Sequence, residues 1–239
     1  MMSAFFKGFS VLLGYFVLAA SLALLLRWLF KMPRELFRKT LHLVVLFSLP
    51  VFLYAFPGWQ LSVLAALVFA AVIYPVLAFA ERIDGYAELF IQRKEGEIKR
   101  SLMLVFLMFA LIIGLCWGWL GDRALAAACI YAWGFGDGAA ALVGKRFGRR
   151  FLEGRLIEGR KSLEGSLAMF GVSLVSVFVI LIFRGGMPWA YCLLIAVLAA
   201  LASAAVELYT LDGFDTLTCP LAAAAVILPL TLLWEGLPK

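Results

Sequence analysis

The chain has 239 residues, of which 65% are hydrophobic and only 15% charged, whereas soluble globular domains carry roughly 45–50% apolar residues. That composition excludes a water-soluble enzyme, and the length suits one integral-membrane domain of seven to nine spans, each needing about 20 apolar residues. The formal net charge of +6 is compatible with anionic lipid, a phosphorylated substrate or nucleic acid, so its distribution along the chain has to decide.

Apolar stretches bounded by charge or by Pro and Gly predict an all-α, polytopic transmembrane bundle of eight spans: residues 9 to 26, 41 to 56, 59 to 80, 102 to 120, 124 to 144, 163 to 183, 188 to 206 and 217 to 234. The first has small residues, Ser21-Leu22-Ala23, near its end, as a cleaved signal would. Its basic residues mostly follow the apolar stretch, however, which predicts a retained span. The second is short and contains Pro50, which predicts a tilted or broken helix. Arg27, Lys31, Arg34, Arg38 and Lys39 follow span one, and Arg82, Arg93, Lys94, Lys99 and Arg100 follow span three. Lys145, Arg146, Arg149, Arg150, Arg155, Arg160 and Lys161 follow span five, leaving only Lys7, Arg123, Arg184 and Lys239 for the other side. The positive-inside rule then predicts cytoplasmic basic loops and both termini outside.

Ionisable residues at membrane depth are costly and therefore informative. Asp137 lies in span five within Trp133-Gly134-Phe135-Gly136-Asp137-Gly138-Ala139-Ala140-Ala141. Three alternate glycines weaken a helix by about 1 kcal/mol each and would let it unwind to offer N–H groups to a phosphate; alternatively Gly134 and Gly138 form a packing face. The following loop holds Gly144, Lys145 and Gly148, then Gly159-Arg160-Lys161-Ser162-Leu163-Glu164-Gly165-Ser166, a mixture of cations, glycines and hydroxyls suited to phosphate oxygens. Gly154 and Gly159 have the spacing of a phosphate loop, but Arg160 replaces the lysine and no strand precedes it.

Arg38, Lys39 and His42 enter span two, with Arg38 and His42 on one helical face; the chain's one histidine is a possible proton acceptor or a helix-to-helix hydrogen-bonding group. Glu207, Asp212 and Asp215 make the last loop on the basic side acidic, so they could hold Mg²⁺ or pair with cations. The Arg82 to Arg100 loop mixes both signs and reads as a solvated connector. Cys116, Cys129, Cys192 and Cys219 lack paired spacing and read as buried apolar residues. No nucleic-acid motif appears, and too little chain is left outside the spans for a reading domain.

Four motifs in order resemble the CTP-dependent lipid-alcohol kinases, the family of dolichol, polyprenol and phytol kinases and of the CTP-using diacylglycerol kinase. They are Arg38-Lys39-Thr40-Leu41-His42; Gly136-Asp137-Gly138-Ala139-Ala140 with Gly144 and Phe147-Gly148; Lys161-Ser162-Leu163-Glu164-Gly165-Ser166; and Asp215-Thr216-Leu217-Thr218-Cys219-Pro220. Thr216 stands where the family usually has Asn. The resemblance implies that Arg38, Lys39, Asp137 and Gly144 are needed for catalysis. It further implies that CTP donates a phosphoryl group to a lipid alcohol, with Mg²⁺ on Asp137 and on Glu207 or Asp215. The nucleotide is expected on Gly136, Gly138, Gly144, Lys145, Lys161, Ser162 and Glu164, at the cytoplasmic face. A CDP-lipid synthase shares the second and third motifs, but its closing H-G-G and D-R-x-D signature is missing; an anion transporter would show related halves, and none is seen.

Overall fold

The computed structural model describes residues 1–82, 96–152, 161–210 and 213–236. Asp212, Arg93, Lys94, Arg155, Arg160, Lys239 and the Gly154/Gly159 pair lie outside them. Among the described residues, eight helical segments are long and apolar enough to cross a membrane. The chain is an all-α, multi-pass membrane protein, because a segment in hydrocarbon must satisfy its own backbone hydrogen bonds. Its helices group into two compact units, Met1–Gly114 and Leu115–Lys239.

The first unit contains α1 (Met2–Phe30), α2 (Arg34–Leu46), α3 (Leu49–Tyr54), α4 (Trp59–Ala80) and α5 (Glu97–Ile113). Pro50 stands in the first turn of α3. It has no N–H to offer the carbonyl four residues back, and the span accordingly breaks at Phe47 and Ser48 between α2 and α3. Phenylalanines fill the core: Phe69 lies 4.8 Å from Phe16 and 4.7 Å from Phe106, and Phe52 meets Phe109 edge-on at 5.5 Å. Offset and edge-on rings add to area burial in this way. Tyr15 donates to the Val44 carbonyl and Ser62 to that of Phe52, so these hydroxyls find partners within the apolar interior.

The second unit is built from α6 (Arg123–Phe147), α7 (Leu163–Arg184), α8 (Trp189–Tyr209) and α9 (Asp215–Gly236), with a short antiparallel ladder of β1 (Phe151–Leu152) and β2 (Lys161–Ser162) between α6 and α7. A π-helical turn, Gly114–Trp119, precedes it. Asp122 caps α6 by accepting from the N–H groups of Ala124 and Leu125. Arg184, at the end of α7, pairs with Asp122 and with Glu235 at the end of α9. One guanidinium thus ties three helix ends together.

The helix α6 runs unbroken through Gly134, Gly136 and Gly138, which corrects the expectation that alternate glycines unwind this span. Packing explains the difference. A Cβ at Gly136 would collide with Ser173 Oγ and Met169, and Ser173 donates to the Ala132 carbonyl at 2.6 Å. The glycine permits α7 to approach closely, and that contact holds the helix against its low intrinsic propensity. Gly138 is different, since a Cβ there would meet nothing within 4 Å.

Two substitutions separate these roles. Gly136→Ala forces the Ser173 contact apart and should lower stability by roughly 1–3 kcal/mol, read as a lower Tm in detergent, whereas Gly138→Ala should leave Tm unchanged or raise it.

Candidate functional site

In the second unit, α6 carries Asp137, β2 carries Lys161, α8 ends near Glu207 and α9 begins at Asp215. The antiparallel run of these helices brings the polar residues to one end. Lys161 Nζ lies 3.2 Å from the Glu207 carboxylate and also donates to the Glu207 backbone carbonyl. Both side chains are largely buried, which strengthens their attraction over that of an exposed pair. Asp215 lies one helical turn before Cys219 on α9. Asp215 occupies the first turn of α9, where the helix dipole favours an anion, and Thr216 beside it is buried.

The glycine and serine positions of the middle motifs form a junction. A Cβ on Gly144 would lie 3.1 Å from Ser162 Oγ, and one on Gly165 would lie 3.3 Å from Gly144 Cα and 3.0 Å from the Ala140 carbonyl. The helices α6 and α7 therefore cross where neither carries a side chain. Ser162 caps α7 by accepting from the Gly165 N–H, and Glu164 accepts from the N–H groups of Arg149 and Arg150. Lys145 stands exposed in the last turn of α6. The expected nucleotide ligands Gly144, Ser162 and Glu164 thus have intramolecular partners that shape this end of the unit.

In the first unit, α2 presents Arg38, Lys39 and His42. Arg38 is held between Glu35 at 3.4 Å and Glu97 at 3.6 Å, and Lys39 is only 7% exposed. A lysine so buried is uncommon and needs a compensating polar environment.

Phytol kinase of Synechocystis sp. is 35% identical to the chain over 231 residues, covering 94% of this chain and 90% of that protein. The chain belongs to the lipid-alcohol kinase family. No family model matches it, and no solved structure matches it either. The alignment takes in the full course of the four motifs, so the family reading made from them holds for both units.

A lipid-alcohol kinase handles phosphate charge, for which Mg²⁺ is the usual counter-ion, and that ion takes oxygen donors, commonly one or two carboxylates completed by phosphate oxygens and water. Among the described residues no group of three or more His, Cys, Asp and Glu side chains forms a ready metal cage. Asp137 and Asp215 carry oxygen donors of the kind Mg²⁺ takes, and Glu207 is engaged by Lys161.

Glu97 is the residue that sequence reasoning passed over. It sits in the stretch read as a solvated connector, yet it begins α5 and pairs with Arg38. Its only sequence signal is an acidic residue at the head of an apolar helix, which any helix start would favour. Glu97→Ala should release the Arg38 guanidinium and lower kcat/KM for lipid phosphorylation by about fivefold, the equivalent of about 1 kcal/mol for a half-exposed ion pair, while Tm in detergent stays within a few degrees.

Proposed function

We propose that the chain transfers the γ-phosphoryl group of CTP to the hydroxyl of a membrane isoprenoid alcohol, with phytol as the first acceptor to test, at the cytoplasmic face of the membrane. The observation that carries this reading is the ion pair of the motif residue Lys161 with Glu207, in the unit where α9 begins with Asp215 and α6 carries Asp137, in a chain of the lipid-alcohol kinase family. The phytol assignment draws support from the name of the Synechocystis relative. The cytoplasmic assignment draws support from the seventeen basic residues on one side of the spans.

Phosphoryl transfer asks little covalent work of a protein and much positioning and charge neutralisation. Asp137 and Asp215 would hold Mg²⁺, which supplies charge neutralisation on the nucleotide phosphates when bound. Lys161 offers an ammonium group to phosphate oxygens, and Glu207 keeps it at the mouth of the site in the meantime. In the first unit, Arg38 and Lys39 are expected phosphate-binding cations following the family resemblance; the planar guanidinium of Arg38, oriented by Glu35 and Glu97, suits two phosphate oxygens at once. Gly138 leaves one face of α6 bare next to Asp137, so a bulky phosphate can approach the helix closely. The acceptor reaches the site from the bilayer; its hydroxyl oxygen bonds to the γ-phosphorus as the bond to the β,γ-bridging oxygen breaks and CDP leaves, and the hydroxyl proton passes to a carboxylate of the site or to water.

Asp137→Asn keeps the shape of the side chain and removes its charge. It should reduce phosphoryl transfer from γ-labelled CTP to phytol by at least about 10²-fold, the scale of losing one electrostatic anchor of a transition state, with Tm in detergent unaltered. An active Asp137→Asn protein contradicts the assignment.

A further inference from the structure

Lys161 can face Glu207 only if β2 keeps its register, and the structure shows what holds that register. Phe151 pairs with Ser162 and Leu152 with Lys161 in the antiparallel ladder. A slip of one residue would turn Lys161 to the opposite face, because side chains alternate along a strand. Two paired residues per strand cannot specify this by themselves. The ladder is pinned instead through Arg150, whose carbonyl accepts from the Leu163 N–H at 2.9 Å and whose own N–H is bonded to Glu164 at 3.3 Å. The Oε2 atom of Glu164 also accepts from the Arg149 N–H at 3.2 Å. The carboxylate thus spans two successive N–H groups of the segment entering β1, from the first turn of α7, where a negative charge is favoured by the dipole. Ser162 completes the joint by capping the same turn.

We propose that Glu164 is a positioning residue of the phosphoryl-transfer site: its carboxylate locks the segment Arg149 to Leu152 against the start of α7 and so aims Lys161. The inference rests on the kinase reading for its consequence, but not for its geometry. In this role Glu164 acts through backbone contacts and need touch neither nucleotide nor metal. A carboxylate facing phosphate would repel it, and here the oxygens are engaged by backbone donors. What the site needs from position 164 is one acceptor oxygen: Oε2 alone lies 3.2 Å from the Arg149 N and 3.3 Å from the Arg150 N, so the single oxygen of an amide can serve both.

The test uses the full-length protein in detergent with Mg²⁺, γ-labelled CTP and phytol. Glu164→Gln should stay within a few-fold of the unaltered protein, whereas Glu164→Ala should lose roughly 10- to 100-fold, as supporting residues around a site commonly do, chiefly through a higher KM for the nucleotide. Because Glu164 acts through Lys161, adding Glu164→Ala to Lys161→Ala should cost nothing more than Lys161→Ala alone. A second readout needs no turnover: cross-linking of a chain bearing Lys161→Cys and Glu207→Cys by a short bis-methanethiosulfonate reagent, whose spacer replaces the reach of the lysine side chain, should proceed with Glu164→Gln and fail with Glu164→Ala. A Gln variant as damaged as the Ala variant, multiplying effects in the double variant, or cross-linking indifferent to position 164 would each overturn the proposal. Cross-linking as stated, together with an otherwise unaltered protein that labels no lipid, would defeat the kinase reading alone.

Discussion

The close approach of α6 and α7 is the constraint on which the second unit depends. Gly136 meets Ser173 and Met169 midway along the pair, and Gly144 meets Gly165 and Ser162 near the site. Hydrocarbon gives helices little apolar reason to associate, so packing of small residues and hydrogen bonds between helices must supply it. Ser173 contributes both, filling the groove over Gly136 and donating to the Ala132 carbonyl. With α6 and α7 drawn together, the end of one and the start of the other become neighbours, the short ladder forms between them, and Lys161 reaches Glu207 on the adjoining helix. A Cβ at Gly144 would stand 3.1 Å from Ser162 Oγ, so the serine that caps α7 would have to give way.

Charge does the rest of the arranging, and the two units use the same device. A basic motif residue is held by acidic partners on other turns or helices: Arg38 by Glu35 and Glu97, Lys161 by Glu207. A cation kept this way has its direction set in folding, which in the proposed phosphate-binding role would meet part of the ordering cost in advance. The acidic partner also offsets the cost of sheltering a positive charge from water. At the far end of the second unit, Arg184 with Asp122 and Glu235 does a different task with similar groups, fastening three helix ends where no motif residue lies.

Much of this was legible in the amino-acid sequence. Hydrophobic run length located the eight spans because the membrane leaves few alternatives, and Pro50 announced the break between α2 and α3 by chemistry that operates whatever the surroundings. The family was legible from residue types in order, above all the pairing of Gly136-Asp137-Gly138 with Lys161-Ser162-Leu163-Glu164-Gly165. The use made of the glycines was not. A glycine in a helix reads alike whether it loosens the backbone or admits a neighbour, and only the position of Ser173 decides between them. Glu97 stayed hidden for a related reason, since its partner lies 59 residues away and no spacing rule links them.

The central claim is that a phosphoryl group passes from nucleotide to lipid, and its most direct measurement follows the label itself. Purified protein in detergent is incubated with Mg²⁺, γ-labelled CTP and phytol, and the lipid extract is separated from the nucleotides. The account predicts label in a phosphorylated lipid with CDP formed in equal amount. An unlabelled lipid fraction, with pyrophosphate released from CTP when phosphatidate is supplied instead, would contradict it and assign the same motifs to cytidylyl transfer.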